Sequence, residues 1–549
     1  MKFFLKFRMR NAILACVCIS IFVRAAYSEE QFENFPAVFY LANLNGTNGF
    51  TINGINPDDQ SGCSLRGAGD VNGDGFNDII IGACISGDSP GQSYVIFGSN
   101  KSWPTNINLA SLDGNNGFTM SGAFLNNGQS VSGAGDINGD GIEDFLSAGS
   151  AASSVIFGSI EPWPAVMDLR KLDGKNGFQI KGIERSNGRF FVSEAGDVNG
   201  DGIDDILIGD QRYNNWAGQS YVVFGSEGPW SAVINISSLN GTNGFALDGI
   251  HSGDYSGASV SEAGDVNGDG IDDILIGAEG ANIKAGQSYV IFGSNKSWPA
   301  IINLGTLNGT NGFILNGVSG EVFESISVSR AGDVNGDGIA DVIIGSVGSA
   351  LGTNRRGQSY VIFGRKKMWP SSINLADLDG NNGFIINGAQ PDDRSGVSVS
   401  GAGDVNGDGI DDILIGAPQA NGSVGQSYII FGNNKSWPRV IDLAALNGHN
   451  GFTMNGRAYG YTGETVSGVG DINGDGIDDI LIGAPKIGNN VGQSYVVFGS
   501  YVPKPPSSPP SNTPLILGLS LGIGGGILLT IGGYCGYQHC YHGDYEQVQ

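Results

Sequence analysis

Positive charge is scarce in this 549-residue chain. Twenty-eight Lys and Arg stand against 54 Asp and Glu, a formal net charge of −26. That balance argues against a nucleic-acid partner, since phosphate backbones are met by Lys and Arg, and it suits the binding of cations. Cysteine is scarce too. Of six, Cys16 and Cys18 lie in an N-terminal apolar stretch and Cys535 and Cys540 near the C-terminus, leaving only Cys63 and Cys84 in the body. Neither a disulfide scaffold nor a Cys-rich zinc protein has that distribution. Of four His, His539 and His542 are in the last residues, and His251 and His449 have no evident partner set. No nucleophile motif accompanies them, so no catalytic residue is assigned and the chain does not read as an enzyme. Charged residues make up only 15%, which disfavours helical bundles. Glycine is abundant instead, 92 residues without a strict triplet, which excludes collagen, while 40% apolar residues argue against disorder. A turn-dense, all-β chain is the class that remains.

Both ends point to a membrane. Residues 1–28 read as a signal peptide: Lys2, Lys6, Arg8 and Arg10 precede an apolar run from Ala12 to Val23, and Ala26-Tyr27-Ser28 forms a small-x-small cleavage site. An uncleaved anchor is the alternative. A Pro/Ser-rich spacer at 501–513 leads into an uncharged apolar segment at 514–537, long enough to span a bilayer as one helix. Gly518, Gly522 and Gly526 have the spacing that lets two such helices pack closely, although Gly also serves simply as a small apolar residue. Residues 538–549 are then a short cytoplasmic tail. A cleaved lipid-anchor signal is disfavoured because this tail is polar.

Between the ends, at 29–500, one unit recurs seven times. Asp70-Val71-Asn72-Gly73-Asp74-Gly75-Phe76-Asn77-Asp78 reappears beginning at Asp136, Asp197, Asp265, Asp333, Asp404 and Asp471. A fixed period of this length marks repeated supersecondary units. The units also share a Ser-x-Ser run before the Asp loop, as at Ser259 to Ser261, and an Ile/Leu run after it, such as Asp273 to Gly277. A Gly-Gln-Ser-Tyr segment (Gly286 to Gly293) and a Gly-Phe segment (Gly312 to Gly317) complete it. These short, Gly-bounded apolar pieces predict four strands per unit and a seven-bladed β-propeller. The array starts with a lone Gly49 to Gly54 strand and stops after Gly492 to Gly499, so the first strand is expected to complete the last blade and close the ring. Trp-Pro pairs at Trp103, Trp163, Trp298, Trp369 and Trp437, with the variant Pro229-Trp230, read as packing elements between third and fourth strands.

The Asp loop predicts calcium. Oxygens at positions 1, 3, 5 and 9 plus the carbonyl at 7 can converge where Gly at 6 permits a sharp turn, and calcium takes six to eight hard oxygen ligands. The candidate ligands are Asp70, Asn72, Asp74 and Asp78; Asp136, Asn138, Asp140 and Asp144; Asp197, Asn199, Asp201 and Asp205; Asp265, Asn267, Asp269 and Asp273; Asp333, Asn335, Asp337 and Asp341; Asp404, Asn406, Asp408 and Asp412; and Asp471, Asn473, Asp475 and Asp479. The pattern departs from a helical calcium hand: position 12 is Ile415, not Glu. A metal-free Asx-rich turn is the alternative. Carboxylates so close together repel without a cation. The expected metal is structural, about seven Ca²⁺.

The unit resembles the FG-GAP repeat of the N-terminal β-propeller of integrin α subunits and of bacterial surface proteins with the same repeat. Phe431-Gly432, Gly416-Ala417-Pro418 and Gly483-Ala484-Pro485 carry the name-giving residues. The resemblance implies calcium loops on a lower face and ligand binding on an upper face, in loops joining strands four to one and two to three. The long leg, the inserted ligand-binding domain and the juxtamembrane Gly-Phe-Phe-Lys-Arg motif of integrin α chains are not seen, so pairing with an integrin β chain is not implied. The second unit departs most, with Ser153-Ser154-Val155 in place of Gln-Ser-Tyr.

Residues unique among the units mark the candidate ligand surface: Arg212, Tyr213 and Trp216 in one loop, Arg189 and Phe190 before the same blade, and Tyr255 in the next. Loop aromatics packing on one another are the alternative. Cys63 and Cys84 flank the first Asp loop symmetrically and predict a disulfide, with two buried thiols as the alternative. Asn45, Asn100, Asn235, Asn240, Asn295, Asn308, Asn421 and Asn434 are glycosylation sequons if the host glycosylates. Tyr545-Glu546-Gln547-Val548 resembles a sorting signal, which sets an endosomal or lysosomal membrane beside the cell surface. The expected function is a calcium-stabilised, membrane-tethered extracellular adhesion protein with a protein or glycan ligand. The alternative is a hydrolase acting on glycans or lipids, since an FG-GAP propeller accompanies the enzyme domain of a phospholipase.

Overall fold

The computed structural model describes residues 35–501, apart from stretches at 85–90, 123–125, 151, 182–189, 319–321 and 350–354. The signal segment 1–28, the spacer beyond Tyr501, the apolar span 514–537 and the tail 538–549 lie outside the described residues, as does the whole second unit from Lys504 to Gln549. Among the described residues no helix is long and apolar enough to cross a membrane.

Seven sheets form the seven blades of an all-β propeller. Blade 4 shows the plan. Ser256–Gly264, Asp273–Ala278, Gln287–Ile291 and Gly312–Asn316 pair in sequence order. The second strand, Asp-Ile-Leu-Ile-Gly-Ala, is buried along its whole length, because a neighbouring blade covers each face. Seven apolar clusters each join two adjacent blades: Leu207 and Val222 of blade 3, for example, pack with Ile274, Ile276 and Tyr289 of blade 4. The core is thus a ring of interfaces, one between each pair of blades.

The four-strand expectation needs correction, because every sheet has a fifth strand. In the connection between its third and fourth strands, each unit lends a three-residue parallel strand to the preceding blade. Val166–Asp168 of unit 2 pairs with Gly117–Ser121 of blade 1. The adjoining Trp lies flat on the Phe of that blade's fourth strand: Trp163 on Phe118 at 4.4 Å and 4°, and Trp298 on Phe245 at 4.3 Å and 6°. Stacked aromatic pairs add about 0.5–1.5 kcal/mol beyond area burial. The Trp-Pro repeat therefore fastens each unit to its neighbour.

The N-terminal segment closes the ring twice. Gly49–Asn53 pairs antiparallel with Gln493–Val497 as the fourth strand of blade 7. Val38–Tyr40 pairs with Gly451–Asn455 as the fifth strand of blade 6. Phe35-Pro36 stands where other units have Trp-Pro, and Phe35 stacks on Phe452 at 4.8 Å and 3°. That seventh anchor is hidden in the sequence by the change from Trp to Phe.

The Ser-x-Ser run seals the inner edges. The first strands line the central channel, and their outward N–H groups find no strand to pair with. The hydroxyl of the first Ser accepts the N–H of the next blade instead: Val131 N to Ser64 Oγ at 3.0 Å, Val192 N to Ser130 Oγ at 3.1 Å and Val466 N to Ser398 Oγ at 3.0 Å. Arg66 replaces the second Ser in blade 1, and its guanidinium donates to the Val466 carbonyl across the blade 7–blade 1 seam.

Candidate cation loops and recognition face

Each Asp loop is a tight turn held by its own carboxylates. In blade 2, the Asp136 carboxylate accepts N–H bonds from Gly139, Asp140 and Gly141 at 2.7–3.0 Å, and Asp140 accepts from Ile142. Gly139 and Gly141 have φ of +73° and +87°, which glycine alone adopts without steric cost. The carboxylate at position 9 is wholly buried in all seven loops, at Asp78, Asp144, Asp205, Asp273, Asp341, Asp412 and Asp479. It accepts from the position-2 N–H and from the Gly of the Phe-Gly pair, as Asp412 does from Val405 and Gly432. This bond explains why Phe-Gly and the Asp loop recur together.

Position 8 links four of the loops to the loop of the preceding blade. Asp204 accepts the N–H of Asp136 in the preceding blade, and Asp272, Asp411 and Asp478 do the same for Asp197, Asp333 and Asp404.

The donor set fits a hard cation. Three carboxylates share each loop. Burial first, and then the charges at positions 1 and 5, push the position-9 carboxyl up, to about 8 in Asp144, Asp205 and Asp479. The acids are not gathered, however: among the described residues no three of His, Cys, Asp or Glu collect around one point. They are engaged by backbone amides, and in blades 2 to 7 the Asn at position 3 turns its amide nitrogen to the position-9 carboxylate.

The opposite face carries the loops that join strands two to three and four to one, and neighbouring blades knit them in pairs. The Trp216 carbonyl accepts from Gly253 N and Tyr255 N at 3.1 and 2.8 Å, and Ser252 donates to the Asn215 carbonyl. Asn214, Asn215 and Trp216 are all left-handed, as are Asn282, Ile283 and Lys284 one blade on. That conformation costs about 1–2 kcal/mol per non-glycine residue. It presents Tyr213, Trp216 and Ile283 at 42%, 50% and 98% exposure, with Tyr255 half-buried beside them. The sequence gives no signal for Ile283, because a lone Ile between Asn and Lys carries no motif.

The sequence candidates fare unequally. Arg212, Tyr213, Trp216 and Tyr255 lie together on this face, and Arg212 is exposed. Phe190 is corrected: it is 1% exposed and packs with Val192, Ile206 and Phe178 in the core, because the first strand of blade 3 begins there. Arg189 lies outside the described residues. Cys63 and Cys84 are joined by a disulfide across the first two strands of blade 1. All eight sequon asparagines are exposed.

Asp210 belongs to the same neighbourhood. Five blades end their second strand in Ala; blade 3 ends it in a wholly buried Asp whose Oδ1 accepts from Arg212 N while Oδ2 has no partner. Burial raises its carboxyl above the usual range. Such a group is tolerated when protonated, below the unfolded value, and costs stability as pH rises through its folded value. Asp210→Ala is expected to stabilise the propeller by about 1–3 kcal/mol at pH 8. The gain should vanish towards pH 4, as read by denaturant unfolding across that range.

These features define the protein class: a closed seven-bladed propeller with an Asp-rich loop at one end of every blade. The FG-GAP repeat profile matches residues 67–96, 193–223, 257–291, 327–362, 395–430 and 462–497. The chain carries six FG-GAP repeats, and its propeller resembles that of integrin α chains. The divergent second blade is the one without a match. Integrin alpha pat-2 of Caenorhabditis elegans is 31% identical over 237 residues, covering 41% of this chain and 18% of that protein. Phosphatidylinositol-glycan-specific phospholipase D is 36% identical over 130 residues in Bos taurus (22% and 15% covered) and 28% over 315 in Dictyostelium discoideum (52% and 31%). The chain thus spans less than a third of the length of these relatives. Among solved structures, AofleA of Arthrobotrys oligospora matches 68% of this chain and 83% of its own, with a TM-score of 0.32 and 9% identity.

Proposed function

We propose that the protein is a recognition or adhesion molecule of the cell surface, tethered by the apolar segment 514–537 and stiffened by calcium in its seven Asp loops. It binds a protein or glycan on the face opposite those loops. The ions would be held by the carboxylates at positions 1, 5 and 9 and the Asn at position 3, and would supply positive charge and cross-linking without chemistry. The observation that carries the reading is the arc of Tyr213, Trp216, Tyr255 and Ile283, two of them held exposed in a strained backbone. Strain of this kind collects where a loop is shaped for contact rather than for stability. Similarity to integrin α chains supports a binding role.

Arrayed matrix proteins and glycans, probed with fragment 29–500, test the proposal. Saturable binding is expected, and Trp216→Ala should weaken it at least about tenfold while leaving the melting temperature within a degree or two. Similarity to the two phospholipases D supports a second reading, a hydrolase. Turnover of a glycolipid or lipid-anchored substrate by the intact chain would replace the first reading with the second.

A further inference from the structure

Unit 2 holds a cavity of about 520 Å³ beside its Asp loop, at the connection between its third and fourth strands. Trp163, Pro162, Pro164 and Met167 give it an apolar wall. One face of Trp163 is taken by Phe118, and its Nε1 donates to the Ser159 carbonyl at 3.1 Å. The ring therefore offers the cavity hydrocarbon alone. At three lining positions the unit departs from the others. Glu161 stands two residues before the Trp, where four units carry Lys101, Lys296, Lys367 and Lys435. Lys171 and Lys175 stand where unit 1 has Ser111 and Asn115, unit 3 Ser238 and Thr242, and unit 4 Thr306 and Thr310. The fold does not require these charges, since other units make the same fifth strand and the same aromatic stack without them. Residues that vary on a repeated scaffold are free to serve recognition.

The other charges at the cavity are committed. Asp168 is clamped by Arg170 at 2.8 and 3.0 Å, and Lys171 pulls on it less strongly. Asp140 accepts the Ile142 N–H inside its Asp loop, and Asp173 accepts the Lys175 N–H inside its turn. What is left is one acid, Glu161, beside the aromatic wall, and two ammonium groups, of Lys171 and Lys175, on the turn before Gly177–Lys181. A ligand of a single charge leaves part of this set unmatched, whereas a zwitterion serves both signs. Its cation is not a primary ammonium, whose three N–H groups need acceptors that Trp and Pro do not supply. A quaternary ammonium needs only an aromatic or apolar wall and a nearby carboxylate. Its anion has to offer oxygens to two lysines at once, as a phosphate does.

We propose that this cavity binds a phosphocholine group, with the trimethylammonium end against Trp163 and Glu161 and the phosphate held by Lys171 and Lys175. The volume lies within the range of small-molecule sites. This site is independent of the face proposed for recognition.

Calorimetric titration of the intact chain with phosphocholine tests it. One molecule is expected to bind per chain, with a dissociation constant of about 1 mM or tighter. Choline alone and inorganic phosphate alone should each bind at least about tenfold more weakly. Glu161→Lys, and Lys171→Ser combined with Lys175→Asn, should each weaken binding at least about tenfold with an unchanged melting temperature, because they install residues that other units already carry. Lys101→Ser, outside the cavity, should change nothing. Dihexanoyl phosphatidylcholine below its micellar concentration distinguishes the sources: tighter binding than phosphocholine supports a lipid headgroup, and weaker binding supports a group free of lipid. No heat from phosphocholine up to about 10 mM would overturn the proposal, as would equal affinity in wild type and the cavity variants. Equal binding of γ-aminobutyrate, a zwitterion with a primary ammonium, would assign the cavity to amino acids and overturn it as well.

Discussion

Chelation of divalent cations is expected to lower the melting temperature of the intact protein by roughly 10 °C or more. At 10 to 100 times its dissociation constant, each filled loop stabilises the folded state by about 1–3 kcal/mol. Seven loops together reach about 10 kcal/mol, as much as the whole stability of many domains, and for a propeller of this size that corresponds to roughly 10 °C. The sign follows from the wholly buried carboxylate at position 9, whose ionised form is disfavoured by burial and by the charges at positions 1 and 5. Calcium added back should restore the transition, and magnesium should do so less well because it demands a tighter octahedron. Asp404→Ala, which removes one ligand and one turn-holding acceptor together, should cost about 1–3 kcal/mol and lower the calcium stoichiometry by one. A melting curve indifferent to chelator would remove calcium from the account and leave the loops as hydrogen-bonded turns.

The second large effect concerns ring closure. Deleting residues 35–54 removes the fourth strand of blade 7 and the fifth strand of blade 6 together. It also takes away Phe50, which is wholly buried and stacks on Trp103 at 4.5 Å. Truncating one such Phe costs about 3–5 kcal/mol. The deletion adds an open edge along Gln493–Val497, an invitation to pair with another chain. The truncated protein is expected to self-associate with rising concentration and to lose its single cooperative transition. A synthetic peptide spanning 35–54, supplied in trans, should restore both, because the vacant edge can take a strand by augmentation. A truncated chain that stays monomeric and melts as before would show that the propeller does not depend on this closure.

Much of the architecture is legible because it repeats. The Asp loop, the buried Ile-Leu-Ile strand and the Gln-Ser-Tyr strand return at a steady interval, and the offset of Gly49–Asn53 from the rest tells that the ring closes through its own start. The fifth strands are not legible. Three residues such as Ile301–Asn303 are too short for any periodicity to show, and their pairing crosses from one repeat to the next. Phe190 misleads because an aromatic next to Arg in a non-repeating stretch looks like surface, whereas the strand simply starts one residue earlier than a local reading places it. The pairing of position 8 with the preceding loop is hidden for another reason. Asp204 reads as one more acid in an acidic loop, and only the curvature of the ring brings it to Asp136.

The place where the described chain leaves the propeller has a mechanical consequence. Tyr501 lies four residues after the end of Gln493–Val497, and that strand is not at a margin: it is bonded to Asp479–Ala484 on one side and to Gly49–Asn53 on the other. A force drawn through the residues beyond 501 therefore loads an interior strand in shear, with one flank supplied by the opposite end of the polypeptide. Such a clamp resists tension as a zip pulled lengthwise does, so the pull is shared between both flanking strands before any blade opens.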